Sequence, residues 1–311
     1  MKPTILTPLF FILSFCFTPA LFPQGEWITL ESPTKVELSK VHFIDGNTGW
    51  AAGDSGVIIH TIDGGENWIF LNARTSDDFV DLFFLDENFG WALTWEYQGE
   101  LFGTRIFRTI NGGEEWTNEF YQEENFFMKS IFFLDPLTGW MAGSPHALVH
   151  TRDGGQLWRQ AEIDSGLLSH FPVEHVGFYN SQFGFASGGR IDLAGVIWRT
   201  TNAGQSWAAT PIGPEPITGI VVLDTNNVVG VGGDFKLGAG GARSTNGGKS
   251  WDYQTLSIFG VPKGLAFRTA QEGWAVMGTA RQFLFTADAG FTWTNIRAPN
   301  DALLFDIAFP D

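Results

Sequence analysis

An eight-residue pattern that returns six times constrains this chain more than any other feature. Thr61-Ile-Asp63-Gly-Gly65-Glu-Asn-Trp68 recurs as Thr109-Ile-Asn111-Gly-Gly113-Glu-Glu-Trp116 and Thr151-Arg-Asp153-Gly-Gly155-Gln-Leu-Trp158. Looser copies are Thr200-Thr-Asn202-Ala-Gly204-Gln-Ser-Trp207, Ser244-Thr-Asn246-Gly-Gly248-Lys-Ser-Trp251 and Thr286-Ala-Asp288-Ala-Gly290-Phe-Thr-Trp293. Successive pattern tryptophans lie 48, 42, 49, 44 and 42 residues apart. A period of that length marks a supersecondary unit that buries its apolar face by stacking on copies of itself.

The residue types give the pattern a mechanical reading. Asp63, Asn111, Asp153, Asn202, Asn246 and Asp288 can accept hydrogen bonds from N–H groups of their own turns. The glycines take positive φ without strain. The Thr or Ser hydroxyl satisfies a further turn group, and the Trp covers the turn from the following strand. The pattern is thus a strand–turn–strand corner, inert as chemistry. Replacing Asp153 by Ala is expected to lower stability without selectively removing binding.

A second motif lies upstream of each copy. A short apolar strand ends in a polar residue, and five positions on comes an aromatic or apolar one, usually after Gly: Asp45/Trp50, Asp86/Trp91, Asp135/Trp140, Asn180/Phe185, Asp224/Val229 and Thr269/Trp274. Each repeat then reads as four short antiparallel strands, which is a propeller blade. Of the 13 Trp, only Trp95 has no slot in this scheme. Trp27-Ile-Thr-Leu30 matches Trp68-Ile-Phe-Leu71, a lone fourth strand, and the stretch from Leu304 to Asp311 matches a first strand. The expected fold is all-β: a propeller with six complete blades and an incomplete seventh built from 21–35 and 303–311. Nothing follows Asp311 where a second strand is due, so the natural product is expected to continue beyond it.

Composition agrees. With 38 Gly, 30 Phe and 17% charged residues, the chain suits short strands and tight turns rather than long helices. Its net charge of −16 argues against nucleic-acid or anionic-membrane partners. A single Cys excludes a disulfide framework or a Cys-based zinc site. Lys2, an apolar run to Phe17 and Thr18-Pro19-Ala20 read as a secretory signal peptide over 1–20, with the propeller at 21–311. Phe15 before Cys16 disfavours lipid modification there. The mature protein is expected to be secreted, periplasmic or at the cell surface, without a membrane span and monomeric.

The boxes, the Gly-Trp strands and Gly49-Trp50-Ala-Ala-Gly53-Asp-Ser-Gly56 resemble the photosystem II stability/assembly factor family of Asp-box (bacterial neuraminidase repeat) propellers, over about residues 26–311. That resemblance implies a seven-bladed, non-enzymatic propeller, and in photosynthetic members a basic patch and a role in assembling photosystem II. This chain departs from it in being acidic and lacking an Arg cluster. The reading adopted is an exported interaction protein that binds a protein or glycan, with no cofactor. The alternatives are a photosystem II assembly factor proper and a sialidase-like glycoside hydrolase. Sialidases place the first Arg of a carboxylate-binding triad before the first box, whereas here no Arg precedes Arg74.

Two insertions mark one loop face of the propeller as the binding face. The first carries Trp95, Glu96 and Tyr97, which suit stacking on a sugar or capping a peptide. The second carries His170 and Phe171. His170, Glu174 and His175 form too weak a pattern for a metal, and Asp77, Asp78, Asp81, Glu123 and Glu124 lack a calcium-loop spacing. A ring of cationic or imidazole side chains precedes the boxes, at His60, Arg108, His150, Arg199 and Arg243. It reads as cover for neighbouring blades.

Overall fold

The computed structural model describes residues 27–97, 102–164 and 166–310. The segment read as a signal peptide, Cys16 and its cleavage site lie outside them. Among the described residues there are six antiparallel sheets, each following chain order. Blade one is Leu38–Phe43, Gly49–Gly53, Val57–Thr61 and Ile69–Asn72. The first strands of the next five blades are Phe79–Phe84, Phe127–Phe133, Val173–Phe178, Ile217–Val222 and Gly264–Phe267. Blade four gains a fifth strand, Glu162–Ile163, parallel to Ser206–Gly213. Among the described residues the only helices are 3-10 turns such as Gly166–His170.

The Gly-Trp motif explains how blades stack. Trp50, on the second strand of blade one, lies flat on Phe84 of blade two, ring centroids 3.7 Å apart and planes within 5°. Trp91 on Phe133 repeats this at 3.7 Å, and Trp140 meets Phe178 at 4.0 Å with the planes tilted by 34°. The Gly before each Trp makes the arrangement possible. A Cβ on Gly90 would sit 2.4 Å from the Phe84 ring, and one on Gly139 would sit 2.6 Å from Phe133. The Phe of strand one therefore folds over a bare backbone and offers its outer face to the preceding blade. Trp50 also donates its Nε1–H to Gly112 O in the next blade's box. Trp50, Trp91 and Trp140 are essentially inaccessible to solvent.

First strands line the axis. Five carry a register irregularity near their start, as between Phe79 and Asp81 or Val173 and His175. Such bulges re-aim side chains. The residues after them face a cavity of about 780 Å³ lined by Lys40, Asp81, Ser130, His175 and Gly219. These residues also join the blades. Asp81 Oδ2 accepts from Ile131 N at 2.7 Å, and Ser130 Oγ from Val176 N at 3.3 Å.

The expected partial seventh blade is not formed. Segments 27–37 and 302–310 make no sheet, and their one ladder contact is an isolated bridge between Gly278 and Leu304. Their other backbone hydrogen bonds are to turns, as from Asp54 N to Glu37 O at 3.0 Å, and not to a strand. Their side chains nonetheless occupy the space between blades six and one. Asp306 Oδ2 accepts from Val41 N at 3.2 Å, the same contact Asp81 makes with Ile131. Leu30 lies against the box at Gly65 as Leu71 lies against the box at Gly113. Trp27 stacks on Phe283 at 5.0 Å and meets Trp274 edge-on at 5.4 Å.

Candidate binding face

The boxes build one end of the propeller and leave the other to longer loops. In box one the Thr61 hydroxyl donates to Asp63 Oδ1 at 2.8 Å and accepts from Gly65 N at 3.0 Å. Asp63 Oδ1 also accepts from Asn67 N at 2.8 Å. The set repeats at Thr109/Asn111, Thr151/Asp153, Thr200/Asn202, Ser244/Asn246 and Thr286/Asp288. Donated backbone hydrogen bonds hold the Asp63 and Asp153 carboxyls below the ordinary aspartate value. In each box the Asp or Asn Oδ1 is engaged within its own turn.

Of the side chains just before the boxes, Arg243 reaches across to blade six, while Arg199 and His60 pack on rings of their own blades. Arg243 donates to Ala289 O at 3.2 Å and Asn227 Oδ1 at 3.0 Å, with its guanidinium 3.5 Å above the Phe291 ring. Arg199 lies over Phe183 at 4.8 Å. His60 stacks on Trp50 at 4.7 Å.

On the opposite face an aromatic arc runs from blade two to blade four. Trp95 ends the strand Gly90–Glu96 and is half-buried. Its Nε1–H donates to Met128 O at 2.6 Å, and its ring meets Phe127 edge-on at 5.8 Å. Trp95 therefore has a structural place, a brace on the first strand of blade three. Tyr97 stacks on the same Phe127 at 5.1 Å and stays 56% exposed. Glu96 points to Arg105, 3.9 Å away. On the other side of blade three, Phe126 meets His146 at 5.6 Å, and His146 meets His170 at 5.7 Å. His170 is exposed at the end of its 3-10 turn, and Ser169 Oγ lies 3.1 Å from its Nδ1. Phe171 is half-buried against blade four, with the Arg190 guanidinium 5.6 Å from its ring.

The structure thus links Tyr97 to His170 through Phe127, Phe126 and His146, three residues the sequence did not single out. Phe126 and Phe127 stand at the start of the third blade's first strand as an unremarkable apolar pair. Only the turn between blades brings them to the face. His170, Glu174 and His175 are not brought together. Glu174 pairs with Lys129 at 2.6 Å, and His175 faces the axial cavity. Burial pushes His175 down to about 4, and Lys40 acts in the same direction. Further round the same face, Ile191, Leu193, Phe235, Leu237 and Phe259 are exposed.

Radial four-stranded blades, boxes satisfied within themselves and a loop face rich in exposed aromatic and apolar side chains define an Asp-box β-propeller. Comparison with known proteins refines this. The family described as photosynthesis system II assembly factor YCF48 matches residues 70–221, just under half of the chain. The photosystem II assembly lipoprotein Ycf48 of Synechococcus sp. (strain CC9902) is 33% identical over 108 residues, 34% of this chain and 30% of that protein. The chloroplastic photosystem II stability/assembly factor HCF136 of Oryza sativa subsp. japonica is 30% identical over 118 residues, 36% of this chain and 27% of that protein. The matched stretches thus span under a third of either relative. A solved structure of YCF48 bound to D1 peptide superposes with a TM-score of 0.62 at 21% identity, covering 86% of this chain and 84% of that one. Over residues 70–221 the chain is similar to the photosystem II assembly factor family, and its fold is that of a β-propeller.

Proposed function

We propose that this chain is an exported, non-enzymatic propeller that binds an extended segment of a protein partner on the face carrying Tyr97, His146 and His170. The observation that carries the reading is the aromatic arc. Exposed Tyr97 rests on a fixed Phe127 platform, and His170 lies across blade three from it. Such rings offer stacking and hydrogen-bonding edges at low entropic cost. The solved YCF48 with a D1 peptide supports a protein partner over a glycan. The names of the two curated relatives favour a second, narrower reading, in which the partner is a photosystem II subunit during assembly.

The test is capture of envelope proteins and of arrayed peptides, D1 segments among them, by wild type and by a Tyr97→Ala/His170→Ala variant. Both residues are exposed, so the variant should keep its melting temperature and lose the partner at least tenfold. Trp95 is left intact, because its bond to Met128 makes it part of the scaffold. Unchanged capture, or turnover of any glycoside by the wild type, would contradict the reading.

A further inference from the structure

We propose that Asp192, Glu215 and Asp234 form a site for a divalent cation of calcium's kind on the seam between blades four and five. The three come from separate connections. Asp192 lies in the turn between Gly184–Arg190 and Ala194–Thr200. Glu215 lies in the loop entering Ile217–Val222, and Asp234 ends Val228–Asp234. One carboxylate oxygen from each lies within 4.8 Å of the other two.

Burial makes this more than a cluster of acids. Glu215 is 1% exposed, and its Oε1 hydrogen-bonds nothing among the described residues. Its Oε2 accepts from Asp192 N at 3.1 Å, which ties the blade-four turn to the carboxylate. Asp234, 7% exposed, accepts from Lys236 N and Leu237 N through Oδ1. An unpartnered oxygen on a buried carboxylate costs free energy unless a positive charge meets it. The nearby cation is Lys236, whose Nζ lies 2.9 Å from Asp192 Oδ1. One ammonium leaves three carboxylates with two charges unmatched, and a divalent ion in its place leaves one. Lys236 sits at the rim with its side chain 70% exposed, so it can withdraw without opening the fold.

The donor set selects the ion. Oxygen alone, with no His or Cys, suits a hard cation rather than zinc or copper. Calcium takes oxygen ligands at about 2.3–2.6 Å in flexible geometry, which suits three carboxylates from three loops whose oxygens lie within 4.8 Å of one another. Magnesium demands near-octahedral geometry at about 2.0–2.1 Å and gives up its water reluctantly. The consequence is mechanical. Asp192 is flanked by exposed Ile191 and Leu193, and Asp234 is followed by exposed Phe235 and Leu237. A cation bound to both aspartates fixes two turn tips that display this apolar surface.

The experiment uses the full chain stripped with a chelator, then titrated with calcium chloride by calorimetry and thermal melting. A saturable heat and a rise in melting temperature are expected by about 1 mM, the range of extracellular calcium modules. Glu215→Gln should abolish both, and Lys236→Met should tighten binding several-fold by removing the competitor. If Glu215→Gln does not fold, exposed Asp192→Asn takes its place. Magnesium at equal concentration should shift the melting temperature less. No saturable response in the wild type, or an equal response in the carboxylate variants, would overturn the site. So would a Lys236→Met protein that is destabilised with calcium as much as without it, because Lys236 would then be the cluster's own counter-ion.

Discussion

At the scale of single residues, the boxes show which positions are held by chemistry and which by backbone shape. Thr151 is 1% exposed and its hydroxyl serves Asp153 Oδ1, Asp153 N and Gly155 N at once. Thr151→Val keeps the shape and orphans those partners, so it should cost about 1–3 kcal/mol in chemical denaturation. A loss below the error of the measurement would show that the box is dispensable. Two copies carry Ala where the others carry Gly. Ala203 has φ +57° and Ala289 φ +58°, against +73° for Gly64 at the same place. The left-handed region costs an L-residue about 1–2 kcal/mol, partly offset by the extra freedom glycine gains when unfolded. Ala203→Gly and Ala289→Gly should therefore each raise stability by about 0.5–1 kcal/mol. Unchanged or lower midpoints would refute the strain. These loosened copies were legible as boxes because Asn202 and Asp288 keep their spacing to the Trp. Trp95 was not legible, because its partner Met128 lies 33 residues on in another blade.

At the scale of strands and blades, stability lies in contacts between repeats. Trp91 is 1% exposed and stacks on Phe133. Trp91→Ala should cost about 3–5 kcal/mol, through the cavity left beside the third blade. The same substitution at Tyr97, 56% exposed, should cost far less. Similar losses at both positions, read from urea midpoints, would place the interblade stack elsewhere. Strand order, the four-strand unit and the box face were readable from periodicity, because each repeat restates them. The aromatic arc was not readable, since Phe127 and His146 acquire their roles from loops that differ between blades. The acidic trio escaped for a related reason: its members sit in three loops of two blades, and no single-loop spacing holds them. The ends misled in the other direction. Their sequences match strands one and four, but a strand needs a ladder partner, and neither segment has one beyond Gly278.

At the scale of the whole molecule, the first strands gather buried titratable groups round one axis. Lys40 is held protonated by Asp81 and Asp306, whose carboxylates lie 3.6 and 4.0 Å away. Burial pushes Asp81 up to about 6 against that attraction. His175, from an ordinary 6.5, is pushed down to about 4. A histidine depressed by folding takes up its proton first in the unfolded chain. It therefore leaves stability unchanged above pH 7 and lowers it as pH falls from about 6.5 to about 4. Asp81, raised by folding, acts oppositely between about 6 and 4. Comparing wild type with His175→Gln isolates the histidine. The variant should lose less stability between pH 6.5 and 4, and parallel curves would show that His175 carries no such penalty. Among the described residues no helix is long and apolar enough to cross a membrane. The surface proposed for a partner is its loop face.

The most direct test of that claim is cross-linking mass spectrometry on the chain with a captured peptide partner, using photoreactive groups at Tyr97 and His170 on one face and at the exposed Ile62 and Ile110 within the boxes on the other. The account predicts cross-links from Tyr97 and His170 that a competing unlabelled peptide removes, with none from the box face. Cross-links confined to Ile62 and Ile110 would contradict it and place recognition on the boxes.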